Sequence, residues 1–286
     1  MANKGIDISQ YQTNVDFKKV KASGINFVII RAGYGRYVKQ KDPQFETHYK
    51  NAKAAGLDVG VYWYSYALSV EDAKLEAQTC LSVIKGKKFE YPIYFDLEEQ
   101  NQFAKGRSFC DSLVKAFCGE IEKAGYFAGL YISRSPLQQY ISTSVANKYA
   151  LWIAEYASKC NYGGAFGMWQ YTSIGRIDGI SGNVDCDHCY VDYPTKIKNA
   201  GLNGYPKPSA PKTLDSSGFK KGDKGNGVLA LKKLLMLSGA NGLDSSGGFG
   251  RGTEKAVNAL LKKWGYKQNG IAGEKFINKI FKEISK

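Results

Sequence analysis

The sequence contains no long apolar run. No stretch approaches the roughly 20 apolar residues that a membrane-spanning helix requires, so we expect no insertion into a membrane. Residues 1–7 also lack the apolar segment of a secretion signal. We therefore expect a soluble protein that is synthesised in the cytoplasm without a signal peptide. Any target outside the cell would be reached by a route that the sequence does not encode.

Cysteine is scarce and unevenly placed. All six cysteines precede residue 190, and in a protein without a secretion signal we expect them to be free thiols. Cys186-Asp187-His188-Cys189 has the spacing of a metal site. The sequence offers no second pair of cysteines or histidines that would complete a tetrahedral ligand set. We therefore expect neither a bound metal nor another cofactor.

Acidic residues are outnumbered by basic ones. The net charge is +14, and residues 218–286 hold 14 basic and 5 acidic residues, a net charge of +9. A basic segment of this kind favours a polyanionic partner. Nucleic acid, anionic lipid and the polymers of a bacterial wall all meet that description.

The segment Tyr91–Glu99 combines an apolar strand with an acidic end. Residues two apart on a strand point the same way and lie roughly 6.5 Å apart, so Asp96 and Glu98 should share one face while Leu97 faces the other. Two neighbouring carboxylates resist ionising together, so the pKa of one should rise. Glycoside hydrolysis uses a protonated carboxylic acid beside a charged carboxylate. The alternative interpretation is a strand that ends in a solvated acidic turn.

Strand-like and helix-like segments alternate along the first part of the chain. Five apolar strands, beginning near residues 4, 26, 58, 91 and 127, are separated by amphipathic helical segments. This alternation predicts parallel strands with right-handed crossovers. Three further strands, near 150–154, 167–171 and 183–185, follow with only loops between them. Together they predict an α/β fold, a compact and irregular TIM-like barrel of eight strands.

Acidic and aromatic side chains recur at the ends of these predicted strands. The carboxyl ends of the strands form the active face of a parallel barrel, so we expect these side chains to share one pocket. They are Asp7, Arg31, Tyr62, Tyr64, Asp96, Glu98, Tyr131, Trp152, Trp169, Tyr171 and Asp185.

A proline-rich segment divides the chain. Tyr205–Lys212 contains three of the seven prolines and predicts a stiff, extended linker. We therefore place a barrel at residues 1–204, a linker at 205–217 and a small all-α domain at 218–286. Apolar residues in the last domain recur at helical spacing in three segments, around Val228–Leu235, Thr253–Trp264 and Phe276–Ile280. It has no cluster of side chains typical of catalysis, so we expect a binding module.

In order and spacing, the motifs of residues 3–195 resemble those of the glycoside hydrolase family 25 lysozymes. The resemblance rests on Gly5-Ile6-Asp7-Ile8-Ser9 with Gln12, Val28–Gly33, Gly60–Tyr66, Phe95–Glu98, Leu151–Ala154, Trp169-Gln170-Tyr171 and Val184-Asp185. It implies a barrel of five β/α units and three closing strands. It also implies hydrolysis of the β-1,4 bond between N-acetylmuramic acid and N-acetylglucosamine in peptidoglycan.

The same resemblance implies roles for individual residues. Glu98 would be the general acid/base, and Asp96 would stabilise the transition state by helping the 2-acetamido group of the substrate to attack the anomeric carbon. Asp7 and Asp185 match two further acidic positions. Where the family usually shows Val-Asp-Leu-Asn, this chain has Val184-Asp185-Cys186-Asp187, so Asp187 competes with Asp185 for the fourth acidic role.

Substrate contacts are implied for a second set of strand-end residues. Tyr62, Trp152 and Tyr171 would stack on or hydrogen-bond to sugar rings. The further candidates for substrate binding are Arg31, Tyr64, Tyr131 and Trp169.

The last domain resembles the helical peptidoglycan-binding domains. The residues that carry this resemblance are Lys221-Gly222-Asp223, Gly248-Phe249-Gly250 and Asn269–Gly273. A wall lysin made without a signal peptide fits a bacteriophage endolysin that acts on the wall after release, and a bacterial autolysin is the alternative.

Other functions remain open on the sequence. A non-catalytic glycan-binding protein could use the same barrel, although Asp7, Asp96 and Glu98 are all intact. The net charge of +14 is compatible with a nucleic-acid-binding protein. We find no motif that recognises DNA or RNA, and we therefore expect no nucleic-acid partner. A chitin hydrolase shares the Asp-x-Glu strand end but would carry a further acid where this chain has Tyr94.

Overall fold

A computed structural model describes residues 2–208 and 211–285. Two compact units, Met1–Pro208 and Ser209–Lys286, divide the chain. Met1 of the predicted barrel, Ser209 and Ala210 of the predicted linker, and Lys286 of the predicted last domain lie outside the described residues. Across the part of the chain that is described, no helix has the length and apolar character needed to cross a membrane.

Eight strands close into a barrel in the first unit, as described for residues 2–208. They are β1 (Asn3–Ile8), β2 (Phe27–Tyr34), β3 (Asp58–Tyr64), β4 (Ile93–Asp96), β5 (Ala128–Ser133), β6 (Ala150–Ala154), β7 (Met168–Gly175) and β8 (Val184–Cys189). Strands β1 to β7 pair in parallel in sequence order. Strand β8 runs antiparallel to both β7 and β1 and so closes the barrel. The predicted α/β barrel is confirmed.

The sequences of the strands are nearly continuous apolar runs because both faces of each strand are buried. On β2, Phe27 and Ile29 belong to a cluster inside the barrel, whereas Val28 and Ile30 belong to the larger core outside it. Tyr94 and Trp152 fill the interior together with these residues and pack edge to face at 5.1 Å. The interior is therefore a packed core below the mouth of the barrel.

Helices follow each of the first five strands, and another follows β8. They are α1 (Phe17–Ala22), α2 (Phe45–Ala54), α3 (Val70–Ile84), α4 (Gln100–Phe103), α5 (Arg107–Lys123), α6 (Arg134–Tyr140), α7 (Thr143–Ala146) and α8 (Tyr193–Ala200). The longest, α3 and α5, bury apolar faces against the outer core. The sequence did not predict α4, α6, α7 or α8. The chain between β6 and β8, all of it described, connects its strands by loops, as predicted.

Three helices form the second unit in its described residues, 211–285. They are α9 (Asn226–Leu237), α10 (Arg251–Lys263) and α11 (Glu274–Ile284), and they share a core that includes Leu231, Val257 and Phe276. Lys232 on α9 is fully buried, and its Nζ donates to Asp244 Oδ1 and to the Ser246 carbonyl oxygen, both at 2.9 Å.

Both ends of the predicted linker are packed against the unit that they adjoin. The Tyr205 hydroxyl donates to a Glu90 carboxylate oxygen in the barrel unit. In the helical unit, the Asp215 carboxylate accepts the backbone N–H groups of Lys275 and Phe276 at the start of α11. Tyr205 and Asp215 of the predicted linker therefore each form hydrogen bonds to the unit that they adjoin, which the proline content of the segment does not reveal.

Candidate active site

A cavity of about 290 Å³ opens at the carboxyl ends of the parallel strands. Strand β8 is antiparallel, so its first residues reach the same edge as the last residues of its neighbours. The side chains around the cavity are those of Asp7, Ile8, Ser9, Tyr11, Gln12, Arg31, Tyr62, Tyr64, Asp96, Glu98, Tyr131, Trp152, Tyr156, Gln170 and Asp185.

Strand register brings the four predicted acids together. Asp96 ends β4 between Tyr64 of β3 and Tyr131 of β5. Glu98 follows two residues later on the cavity side, and Leu97 between them is buried in the outer core. Asp7 of β1 pairs directly with Asp185 of β8. The predicted common face of Asp96 and Glu98 agrees with this arrangement.

The Asp96–Glu98 pair is electrostatically unusual. Asp96 is only 3% exposed, and burial raises its pKa well above the usual range, with the Glu98 charge as the next contribution and Arg31 opposing it. Burial also raises the pKa of Glu98, with the charges of Asp185 and Glu99 adding to the effect. A proton is therefore held on this pair at a higher pH than on an isolated carboxylate.

Asp7 is fixed by a hydrogen-bond network at the bottom of the cavity. Gln170 Nε2 donates to Asp7 Oδ2 at 2.7 Å. The amide oxygen of Gln170 accepts the hydroxyls of Tyr131 at 2.9 Å and Tyr156 at 3.2 Å. Burial raises the pKa of Asp7 well above its usual value, and the carboxyl groups of Asp187 and Asp185 raise it further.

The structure separates Asp185 from Asp187. Asp185 lines the cavity and is half-buried, with a pKa raised by burial. Asp187 lies two residues further along β8, beside Gly5 and Gln170, and is only 1% exposed. Its Oδ1 accepts a hydrogen bond from Trp152 Nε1 at 2.8 Å. Asp185 can therefore meet a ligand directly, whereas Asp187 lies beneath the cavity.

Two polar residues outside the cavity hold side chains that line it. Arg31 Nε donates to Asp42 Oδ2 at 2.8 Å, and the guanidinium carbon lies 5.3 Å from the ring centre of Tyr11. The Tyr64 hydroxyl donates to Glu99 Oε1 at 2.7 Å. Neither Asp42 nor Glu99 belongs to the predicted set of site residues.

The sequence of the barrel unit matches a known protein family. The model of the family described as glycosyl hydrolases family 25 matches residues 6–180. The chain belongs to this family. An "Autolytic lysozyme" of Clostridium acetobutylicum is 33% identical over 187 residues, which are 64% of this chain and 55% of the relative. The chain thus spans about half the length of that relative.

Solved structures agree with the family assignment. The modular autolysin LytC of Streptococcus pneumoniae, determined in complex with a synthetic peptidoglycan ligand, is 28% identical with a TM-score of 0.60, over 66% of this chain and 47% of its own. The CTP1L endolysin has a TM-score of 0.61 at 21% identity over 99% of both chains. Its likeness shows a shared fold.

Two of the predicted substrate-binding residues lie away from the cavity of this family 25 chain. Trp169 precedes the inward-facing Gln170 on β7 and therefore faces outward. Tyr171 lies at an irregularity in the pairing of β7 with β8 and packs against the outer core. Trp169 Nε1 donates to the Glu155 carbonyl oxygen at 2.8 Å, and the Tyr171 ring stacks on His188 at 4.5 Å. We therefore correct the prediction and leave both residues out of the candidate site.

Six cavity residues were missing from the predicted set, namely Ile8, Ser9, Tyr11, Gln12, Tyr156 and Gln170. Ser9, Tyr11 and Tyr156 lie in connections beyond the strands, where the sequence carries no periodic signal. Gln170 had a signal: it is a polar residue between two aromatics at a strand end, and a buried polar residue needs partners. In residues 2–208 and 211–285, no group of three or more His, Cys, Asp or Glu is arranged to hold a metal ion.

Proposed function

We propose that the barrel unit hydrolyses the β-1,4 bond between N-acetylmuramic acid and N-acetylglucosamine in bacterial peptidoglycan. The observation that carries the proposal is the convergence of Asp7, Asp96, Glu98 and Asp185 on one cavity. Burial raises the pKa of every one of them, so the cavity can hold a proton and a negative charge side by side. Membership of family 25 supports the same reaction.

In the proposed mechanism Glu98 is the general acid. Its raised pKa keeps the proton to a higher pH than on an isolated carboxyl group, and it donates this proton to the glycosidic oxygen as the bond to the anomeric carbon breaks. The oxygen of the substrate's 2-acetamido group forms a bond to the same carbon. Water then attacks that carbon, the acetamido oxygen leaves, and Glu98 takes the proton of the water.

Asp96 would orient and stabilise the acetamido group as positive charge develops on it. Its Oδ1 is buried and has no hydrogen-bond partner in the structure, so an acceptor is free beside Glu98. Asp96 and Glu98 lie on the same wall of the cavity, whereas a nucleophile and an acid would flank the bond from both sides. This geometry favours assistance by the substrate itself.

The remaining cavity residues would bind sugar. Trp152 is packed edge to face between Tyr62 and Tyr131, and all three rings contribute to the lining of the cavity. Arg31 and Tyr64 are held in place by Asp42 and Glu99 and would hydrogen-bond to polar groups of the chain being cut.

The helical unit would bind the wall, with peptidoglycan as its ligand. Support comes from its net charge of +9 over residues 218–286 and from a groove along α10. Arg251, Lys255 and Lys262 line this groove with Glu254, whose carboxylate pairs with Lys221 Nζ at 3.3 Å. Because the negative charge of Glu254 is paired with Lys221, the three basic side chains give the groove a positively charged surface.

We further propose an enzyme of the bacteriophage endolysin type that is released to the wall by a separate membrane pore. An autolysin is the second candidate, because the relative at 33% identity bears the name "Autolytic lysozyme". Expression in a bacterial cytoplasm separates the two. An endolysin leaves the cells intact until the membrane is permeabilised, whereas lysis on expression alone would favour an autolysin that exports itself.

Digestion of purified peptidoglycan, with mass spectrometry of the products, tests the reaction. Wild type should release fragments with muramic acid at the reducing end, and Glu98→Gln should release none while it remains folded. Glu71→Gln is the matched control, since its side chain is 72% exposed on α3, away from the cavity. Reducing ends on glucosamine, or full activity of a folded Glu98→Gln, would contradict the proposal.

A further inference from the structure

A second cavity opens beside the candidate active site. It has a volume of about 320 Å³, and the residues that line it include Arg36, Tyr37, Tyr66, Leu68, Asp72 and Glu76. They belong to the connection after β2, the connection after β3 and helix α3. The cavity therefore lies at the end of the barrel where the parallel strands finish, as the active site does.

The lining of this second cavity contains a buried acid with an unused oxygen. Glu76 is 1% exposed, and its Oε1 accepts the backbone N–H of Tyr66 at 2.8 Å. Its Oε2 is buried and has no hydrogen-bond partner among the residues that the structure describes. A buried polar atom without a partner is costly, so a ligand that brings a donor to Oε2 would be stabilised there.

The charges in this lining favour a positively charged donor. Arg36 Nη1 donates to the Asp72 carboxylate, so these two charges are paired with each other. Burial raises the pKa of Glu76 to about 7, and this carboxyl group therefore carries a negative charge for part of the time at neutral pH. An ammonium group beside it would stabilise that charge. The cavity thus suits a ligand with an ammonium group.

The entrance of the second cavity is aromatic and basic. Tyr37 is 52% exposed and Tyr66 is 51% exposed. The Lys39 ammonium lies 5.8 Å from the ring centre of Tyr37, and the guanidinium carbon of Arg36 lies 5.3 Å from it. A carboxylate would be attracted to this rim, whereas an ammonium would be attracted to Glu76. Peptides carry both kinds of group close together.

The two cavities are neighbours. Tyr64 lines the active-site cavity, Tyr66 lines the second one, and their ring centres are 5.1 Å apart. Peptidoglycan carries its peptides on N-acetylmuramic acid, which is one of the two sugars at the bond to be cut. An extended peptide of two or three residues spans about 7–11 Å. A peptide on a sugar bound in the active site can therefore reach the second cavity.

We propose that the second cavity binds the peptide of peptidoglycan, with an ammonium group of that peptide hydrogen-bonded to Glu76 Oε2 and a carboxylate beside Lys39 at the rim. The enzyme would then prefer glycan chains whose peptides carry a diamino acid with a free side-chain amine. The proposal rests on the proposed function, because peptidoglycan supplies the peptide. Binding in this cavity does not require catalysis, so the two can be tested separately.

NMR titration of the full chain carrying Glu98→Gln tests binding without hydrolysis. The probes are N-acetyl-L-alanyl-γ-D-glutamyl-L-lysine and the same peptide with its side-chain amine acetylated. The Tyr66 amide is the reporter because its N–H donates to Glu76. Its resonance should shift with the free amine and not with the acetylated peptide. Equal shifts with both peptides, or no shift up to about 10 mM peptide, would overturn the proposal.

Variants of the same chain test which residues bind the peptide. Adding Glu76→Gln should abolish the difference between the two peptides, since the amide lacks the charge. Glu71→Gln is the matched control, because Glu71 lies on the same helix outside the lining, and it should keep the difference. Tyr37→Ala changes only an exposed ring of the rim and should weaken binding of the free-amine peptide even if Glu76→Gln does not fold. Unchanged binding in both Glu76→Gln and Tyr37→Ala would overturn the proposed contacts.

Hydrolysis of soluble glycan chains that carry their peptides gives a second readout. Wild type should have a kcat/KM about tenfold higher when the peptide amines are free than when they are acetylated, mainly through KM. Glu76→Gln should bring this ratio close to one. A wild-type ratio of one, or an unchanged ratio in Glu76→Gln, would overturn the proposal. A wild type without muramidase activity would refute the proposed function, and the NMR titration would still decide whether the cavity binds the peptide.

Discussion

Replacement of Asp185 by asparagine should move the alkaline limit of activity to lower pH. Asp185 lies across the cavity from Glu98, and its negative charge contributes to the raised pKa of Glu98. That raised pKa extends to higher pH the range in which the general acid is protonated. Without the charge, Glu98 should lose its proton at a lower pH, and the descending limb of kcat/KM should follow because it reports the essential acid of the free enzyme.

The size of the cavity sets the size of the shift. A sphere of 290 Å³ is about 8 Å across, which is the scale of the separation between groups on facing walls. Two unit charges about 8 Å apart interact by about 2 kcal/mol at an effective dielectric constant of about 20, which is about 1.5 pKa units. Asp185 is only half-buried, and screening by water and salt reduces the effect. We expect a downward shift of about 0.5 to 1.5 pH units.

The assay is the pH dependence of kcat/KM on a soluble muropeptide substrate, measured for wild type, Asp185→Asn and Asp178→Asn. Asp178 is exposed in the turn between β7 and β8 and does not line the cavity. Its replacement by asparagine also removes one negative charge, but this charge lies outside the cavity, so the pKa of Glu98 should not change. The control should keep the wild-type profile. An unmoved or upward-moving limb in Asp185→Asn would refute the assignment of Glu98 as the acid whose proton limits the rate.

Three further predictions concern other parts of the chain. Asp96→Asn should lower kcat/KM at least about 100-fold, the range expected when charge stabilisation is removed, and a folded variant with a smaller loss would contradict its role. Truncation after Pro208 should leave a folded barrel, judged by circular dichroism, that sediments less with purified walls; unchanged sedimentation would refute wall binding by the helical unit. Lys232→Met should lower the free energy of unfolding of that unit by about 1–3 kcal/mol in urea titrations, because the Ser246 carbonyl oxygen and Asp244 lose a buried donor. Stability equal to wild type would show that water replaces the ammonium group.

Much of the fold and site could be predicted because the signals are local. A strand that is buried on both faces is a continuous apolar run, and its end shows where polar residues begin. The alternation of side chains placed Asp96 and Glu98 on one face and Leu97 on the other, as the structure has them. Family motifs in a fixed order then predicted that separate strand ends meet, and most of the predicted residues line one cavity.

The same rule explains one of the two errors at β7, and an irregularity of the strand pairing explains the other. Alternation fixes which residues share a face, but only the pairing with neighbouring strands decides which face points inward. Strand β7 turned Gln170 toward Asp7 and so turned Trp169 outward, and an irregularity of pairing between Gln170 and Thr172 leaves Tyr171 against the outer core. Gln170 and Asp7 are 163 positions apart in the sequence, and no local pattern connects them.

The sequence by itself determined the strands, the helices that alternate with them, and the acids at the strand ends, because each depends on a short run of side chains. The tertiary structure alone decided that β8 runs antiparallel between β7 and β1. That closure placed Asp185 opposite Asp7 and Asp187 beneath them, in a setting where burial raises the pKa of all three. Burial and charge proximity are properties of the closed barrel, so they arise only when distant strands pair.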